Sequence, residues 1–131
     1  MRVRVSAIAA AVLSGLLAIG CGGVTDPAKN QTETFSDTLA VGGYWRQTIN
    51  VNNGGEYSAK ITALSPTPTA VLLVIWAQGA NCELTIQSNF ASLNQQALGG
   101  PIYQKGAYCI LVYDPGTLTV AQNFTIQVSH P

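Results

Sequence analysis

The chain has 131 residues, the size of one ordinary domain or of a small domain with a targeting segment. Hydrophobic residues make up 47% of it, so a packed core can form and wholesale disorder is disfavoured. Charged residues make up only 9%, and six basic residues balance six acidic ones, so no basic surplus exists to neutralise a phosphate backbone. We therefore expect no nucleic-acid partner.

The first twenty residues have the pattern of a secretory signal peptide. Two arginines lie within residues 1–5, and the following stretch to Gly20 is uncharged and mostly apolar. A membrane-spanning helix needs about 20 apolar residues, so this shorter stretch predicts a signal helix that is removed on export. The alternative is a buried N-terminal helix of the domain, but no amphipathic stripe supports it.

The signal ends in Leu17-Ala18-Ile19-Gly20-Cys21, which resembles a bacterial lipobox. In that motif small residues precede a cysteine that becomes lipid-modified, and Gly20 and Cys21 match it. The usual leucine three residues before the cysteine is Ala18 here. The resemblance implies an acyl modification such as palmitate on Cys21, and a lipid-anchored place in the bacterial cell envelope, in the outer membrane on its periplasmic or surface side. Ala18 and Gly20 also fit ordinary signal peptidase, so secretion without a lipid is the alternative.

A tether is predicted between the lipid and the folded body. Residues 22–31 are small and polar, are broken by Pro27 and show no periodicity. We assign residues 21–32 to this tether and residues 33–131 to one domain. The mature chain has four basic and six acidic residues, and this mild acidity argues against electrostatic attachment to the membrane.

The three cysteines are Cys21, Cys82 and Cys109, an odd number for an exported protein. If Cys21 carries a lipid, the other two are available to pair, and a disulfide is favoured outside the cytoplasm. A metal site or a catalytic thiol would need further partners, and the only histidine is His130 near the tail. The sequence predicts a Cys82–Cys109 disulfide, with free buried thiols as the alternative, and no metal or other cofactor.

Apolar and polar residues alternate with a period of two through most of the mature chain, which is typical of β-strands. No amphipathic helix of ten or more residues is apparent. We predict seven or eight strands in an antiparallel β-sandwich. The segments are 34–41, 44–51, 57–63, 71–77, 82–87, 108–113 and 124–129, with a short edge strand at 102–103.

The phase of the alternation predicts which side chains face the core. It places Trp45 and Tyr57 inward and Tyr44 and Tyr103 outward. An inward position is also predicted for Cys82, Leu84, Ile86 and Cys109. Residues 88–100 are polar and carry no clear alternation, so we expect a loose connection there.

The last third of the chain has a recognisable pattern of residues 105–114 (KGAYCILVYD), 116–119 (GTLT) and 124–131 (FTIQVSHP). This pattern resembles the bacterial pre-peptidase C-terminal domain, in which a G-x-Y-x-(x)-x-V-Y strand precedes a glycine-bearing turn and a closing Y/F-T-I-x-V strand. Residues 35–39 and 55–57 match the opening strands of that family. The resemblance covers nearly all of the mature chain, from about Glu33 to Pro131.

The resemblance implies a jelly-roll-like sandwich that is accessory rather than catalytic. Such domains are thought to aid secretion, localisation or substrate binding of the proteins that carry them. Some related domains bind calcium through clustered carboxylates, but this chain has no D-x-D-x-D run and its acidic residues are scattered. Here the domain follows a lipobox instead of a protease, which leaves the associated activity open.

No motif for nucleophilic, metal-dependent or phosphate chemistry occurs in the sequence. The aromatic residues offer a better lead, because exposed tyrosines can stack on sugars or anchor a protein partner. We therefore predict a non-catalytic, membrane-tethered domain that binds or scaffolds, with a glycan or an envelope protein as partner. The alternative is a carbohydrate-binding module that uses Tyr44 and Tyr103.

Overall fold

The structure, a computed structural model, describes residues 29–131, so the predicted signal helix, Cys21 and most of the tether lie outside the described residues. It confirms an all-β sandwich of two antiparallel sheets with four strands each. The strands are β1 (Gln31–Leu39), β2 (Tyr44–Val51), β3 (Gly55–Ser65), β4 (Leu72–Gln78), β5 (Leu84–Ala91), β6 (Gln96–Ile102), β7 (Gly106–Tyr113) and β8 (Gln122–His130).

The strands pair from the two ends of the chain inward. β1 pairs with β8, β2 with β7, β3 with β6, and β4 with β5. The first sheet has the order β1-β8-β3-β6 and the second the order β2-β7-β4-β5, which is the nested arrangement of a jelly roll. We call the end of the sandwich where β1 begins the entry end, and the opposite end the far end.

The chain enters and leaves the sandwich at the entry end. β1 begins at Gln31, two residues before the predicted domain start, and Gln31 pairs with His130. His130 is buried, and its Nε2 atom lies 2.7 Å from Oε1 of Glu33. The only histidine of the chain therefore ties the last strand to the first.

Aromatic stacking organises the core between the sheets. Trp76 is fully buried, and its ring lies between those of Tyr57 and Tyr108, at centroid distances of 4.5 and 5.3 Å and nearly parallel to both. Trp45 is half-buried and packs edge-on against Phe124. Because each aromatic side chain removes roughly 150–250 Å² from water, this group supplies much of the core. The inward positions predicted for Tyr57 and Trp45 are confirmed.

The loose connection predicted for residues 88–100 is wrong. These residues complete β5 and form most of β6, with only residues 92–95 between the two strands. β5 and β6 are edge strands of their sheets, so polar side chains along them remain in contact with water and mask the usual alternation. Within residues 88–100, Ala91, Ala97 and Leu98 are buried between the two sheets.

The predicted inward face of β5 is also wrong. Leu84 and Ile86 are exposed, whereas Gln87 points toward Tyr57. The pairing of β4 with β5 shifts at a bulge between Trp76 and Ala77, and Gln87 becomes the cross-strand partner of buried Trp76. Because side chains alternate with a period of two, the extra residue of a bulge exchanges the inner and outer faces.

Asp114 joins two loops at the far end of the sandwich. Its Oδ1 atom accepts hydrogen bonds from the amides of Gly116, Thr117 and Leu118, and its Oδ2 atom accepts one from Gly42. The Gly42 amide, with the other three, holds the pKa of the carboxyl below its usual 3.8, although desolvation opposes this. The ionised carboxylate therefore fastens the β1–β2 turn to the β7–β8 connection.

We expect Asp114→Asn to melt at a lower temperature than the wild type at neutral pH, because the NH₂ group that replaces one carboxylate oxygen cannot accept the hydrogen bonds made to that oxygen. The carboxylate stabilises fully above its unfolded pKa of 3.8, and this stabilisation is lost as the pH falls through the lower folded pKa. The melting-temperature difference should therefore shrink in acid. Asp37→Asn is the control, since exposed Asp37 accepts, among residues 29–131, only from the neighbouring amide of Thr38. A difference that stays constant down to about pH 2 would contradict this role.

Candidate functional site

A pocket of about 510 Å³ opens at the entry end between the edge strands β5 and β6. It is lined by aromatic and amide side chains from five segments of the chain, together with the apolar side chains of Ile86, Pro101 and Ile102, and we call it the tyrosine–glutamine pocket. The side chains that define it are Tyr57, Tyr103, Tyr108, Gln78, Gln87 and Gln104. None of the described residues that line it is charged, so it favours a neutral ligand.

Two glycines of β6 form one wall of the pocket. Gly99 and Gly100 pair with Ser58 and Tyr57 of β3. A side chain at Gly100 would begin 3.4 Å from the Tyr57 ring, and one at Gly99 would overlap the amide of Gln96. The absence of a side chain at Gly100 leaves space beside the Tyr57 ring.

A hydrogen-bond network fixes the polar floor of the pocket. The hydroxyl of Tyr57 donates to Oε1 of Gln87 at 2.8 Å, and the amide of Gly99 donates to the same oxygen at 3.0 Å. Burial raises the pKa of the Tyr57 phenol above 10.0, so this hydroxyl remains a donor at physiological pH. With Oε1 of Gln87 engaged twice, the Nε2 group of this side chain remains to donate to a ligand.

The outer rim is formed by the connection between β6 and β7. Tyr103 on this connection is 87% exposed, the most exposed large hydrophobic side chain among residues 29–131. The hydroxyl of Tyr108 donates to the carbonyl oxygen of Gln104 at 2.8 Å and holds the connection against the body. The rim therefore offers an accessible aromatic ring on an anchored segment.

The two tyrosines singled out from the sequence do not form one site. Tyr44 begins β2 at the far end, where its ring lies 5.6 Å from that of Tyr113. Tyr103 follows β6 at the entry end, beside the start of β7. The length of β7 separates them, which is about 20 Å at the usual rise per residue. Only Tyr103 borders the pocket.

The structure confirms the Cys82–Cys109 disulfide, with Cα atoms 5.2 Å apart. The inward placement predicted for these cysteines is wrong. Tyr108 and Ile110 on either side of Cys109 belong to the core, so Cys109 lies on the outer side of the second sheet. It is buried there because residues 79–83 fold over it, and Thr48 donates to the carbonyl oxygen of Ala80 at 3.2 Å.

Sequence reasoning missed most of the pocket. Its three glutamines come from three separate parts of the chain, and the alternation placed Gln87 on the outer face. A polar residue opposite buried Trp76 becomes recognisable only once the bulge in the β4–β5 pairing is known. Tyr103 was identified because the alternation placed its side chain outward.

Comparison with protein-family models finds no match to the chain, and comparison with curated proteins finds none either.

Across residues 29–131, no group of three or more potential metal-ligating side chains occurs. The part of the chain that the structure describes has no helix with the length and apolar character needed to span a membrane.

Proposed function

We propose that this chain is a non-catalytic bacterial lipoprotein whose β-sandwich binds a neutral ligand in the tyrosine–glutamine pocket. The observation that carries the binding role is the pocket itself, about 510 Å³ with uncharged aromatic, aliphatic and amide groups along its described lining. Pockets of this volume hold small molecules or single units of a polymer. The resemblance to the pre-peptidase C-terminal domain supports an accessory role rather than catalysis.

The same proposal places the protein at the cell envelope. The lipobox-like end of the signal provides Cys21 for acylation, and the disulfide suits an oxidising compartment. An outer-membrane anchor on the periplasmic or surface side follows from this reading, with a glycan or an envelope protein as partner. If Cys21 is not acylated, the same domain is secreted.

Carbohydrate binding is the more specific candidate. Sugars present apolar C–H faces that stack on aromatic rings, and hydroxyls that bond to amide groups. The exposed ring of Tyr103 supplies the first kind of contact, and the Nε2 group of Gln87 supplies the second. The lack of charge in the described lining favours neutral over anionic sugars.

We expect Tyr103→Ala to weaken binding to neutral oligosaccharides at least about tenfold, because exposed aromatic anchors carry much of such binding energy. The measurement is binding of purified protein to an array of immobilised glycans, followed by titration of the best oligosaccharide. Val41→Ala is the control, since Val41 is also an exposed apolar residue but lies at the far end, between β1 and β2. Absence of binding to every glycan would reject the carbohydrate candidate. Equal losses in both variants would reject the pocket as the site.

A further inference from the structure

The two sheets present outer faces of opposite character. On the first sheet, Ser36 of β1 lies beside Thr125 of β8 and Thr38 lies beside Asn123, each pair within hydrogen-bonding distance. An antiparallel sheet with one face in water usually carries such polar residues on that face. The first sheet therefore has an ordinary solvated surface.

The outer face of the second sheet carries an aromatic and aliphatic row across all four strands. Tyr44 of β2 pairs with Tyr113 of β7, Tyr113 pairs with Leu73 of β4, and Leu73 pairs with Phe90 of β5. Tyr44 and Phe90 are at the two edges and are 65% and 62% exposed. Large apolar side chains are thus held in water in one continuous line.

A second row lies beside the first and is also apolar at its centre. Arg46 pairs with Leu111, Leu111 with Ile75, and Ile75 with Ser88. Arg46 is the single charged residue of the two rows. Beyond them, the face is covered by residues 79–83, which the disulfide holds in place. We call these eight residues the apolar face.

We propose that the apolar face is the contact surface between two copies of this chain. The row is self-complementary about a two-fold axis parallel to the strands, because Tyr44 then lies against the partner's Phe90 and Tyr113 against the partner's Leu73. The same rotation brings each Arg46 to the partner's Ser88. The two arginines remain at opposite edges, about 14 Å apart at the usual strand spacing, so they do not oppose association.

The size of the face fits a small symmetric dimer. Tyr44 and Phe90 together expose roughly 200–300 Å², given the usual area of aromatic side chains. With the half-buried residues between them, the face amounts to about 500 Å², so a pair of copies buries about 1,000 Å². That is the lower limit of specific interfaces, and it predicts a reversible dimer. Arg46 is the single charge on the face, so the face has no charge pattern that would select a strongly acidic or basic partner. This favours a second copy of the chain as the partner.

Cysteine cross-linking of the full chain tests the arrangement. We expect an equimolar mixture of Tyr44→Cys and Phe90→Cys chains to form at least about fivefold more covalent dimer than either variant alone when treated with a short thiol-specific bismaleimide that spans about 10 Å, the usual separation of packed sheets. Facing positions of the two copies lie at about that separation, whereas like positions are also displaced by about 14 Å along the row and lie beyond the reach of the linker. Wild-type chain measures the background from Cys21, and Thr34→Cys on the polar face of the first sheet is the matched control.

Sedimentation of the full chain in mild detergent tests the dimer without new cysteines. We expect a concentration-dependent dimer that Phe90→Ser weakens at least about tenfold, while Thr34→Ser changes nothing, because both positions are exposed and neither substitution disturbs the core. A wild-type chain that stays monomeric up to about 1 mM would overturn the proposal. It is also overturned if the mixed variants cross-link no more than the single ones. Neither result depends on the ligand of the tyrosine–glutamine pocket.

Discussion

Trp76→Ala is expected to destabilise the sandwich by about 3–5 kcal/mol, the usual cost of removing a fully buried large aromatic side chain. Trp76 is 0% exposed and lies between the rings of Tyr57, from the first sheet, and Tyr108, from its own sheet. The alanine would create a cavity. The two tyrosine rings could move into it only by breaking the hydrogen bonds of their hydroxyls to Gln87 and Gln104. Equilibrium unfolding in urea, followed by circular dichroism, measures the loss.

Trp76→Phe separates packing from hydrogen bonding in the same experiment. Nε1 of Trp76 is buried and has no hydrogen-bond partner among the described residues, so phenylalanine removes no polar contact. We expect a smaller cost of about 1–2 kcal/mol from the reduced ring area. Tyr44→Ala, at an exposed position, should stay within about 1 kcal/mol of the wild type. A Trp76→Ala loss no larger than that of Tyr44→Ala would show that the stacked rings do not organise the core.

Removal of the disulfide is expected to have an effect of similar size. The bond closes a loop between residues separated by 27 positions, for which the chain-entropy relation gives roughly 3.6 kcal/mol. The Cys82→Ala/Cys109→Ala double variant should therefore unfold at a markedly lower urea concentration. Because the bond also holds residues 79–83 over the second sheet, we expect proteolysis of the double variant to begin in that segment.

Reduction of the wild-type protein is the control for the cysteine variants. Reductant should lower the stability of the wild type toward that of the double variant and leave the double variant unchanged. An unfolding midpoint that does not respond to reductant would contradict a stabilising disulfide. So would a double variant within about 1 kcal/mol of the oxidised wild type.

The all-β fold class was predictable because the alternation of apolar and polar residues and the positions of the turn residues both indicate strands. The alternation over residues 44–51 and 124–129 and the turn residues at 52–55 locate strands whose inner faces are buried in the structure. Sheets with one buried face impose such alternation on the sequence. The pairing of Cys82 with Cys109 was predictable by elimination, once Cys21 was assigned to the lipid.

The errors lie where tertiary structure overrides local pattern. β5 and β6 are edge strands with many polar residues, so their alternation is weak, and the bulge between Trp76 and Ala77 reverses the face of β5 without any local signal. Because of both effects, the tyrosine–glutamine pocket could not be predicted from the sequence. Its residues meet only through the nested strand pairing, which brings the start of β3, the start of β5 and the end of β6 to one place.

Intact-mass measurement of the full chain expressed in bacteria, in the membrane and soluble fractions, tests most directly whether the sandwich is exported and anchored through Cys21. The expected result is a membrane-bound chain that begins at Cys21 and carries the added mass of acyl chains. Replacement of Cys21 by serine should abolish both the added mass and the membrane association. A chain that retains residues 1–20, or one that begins elsewhere with unmodified Cys21, would contradict the lipid anchor.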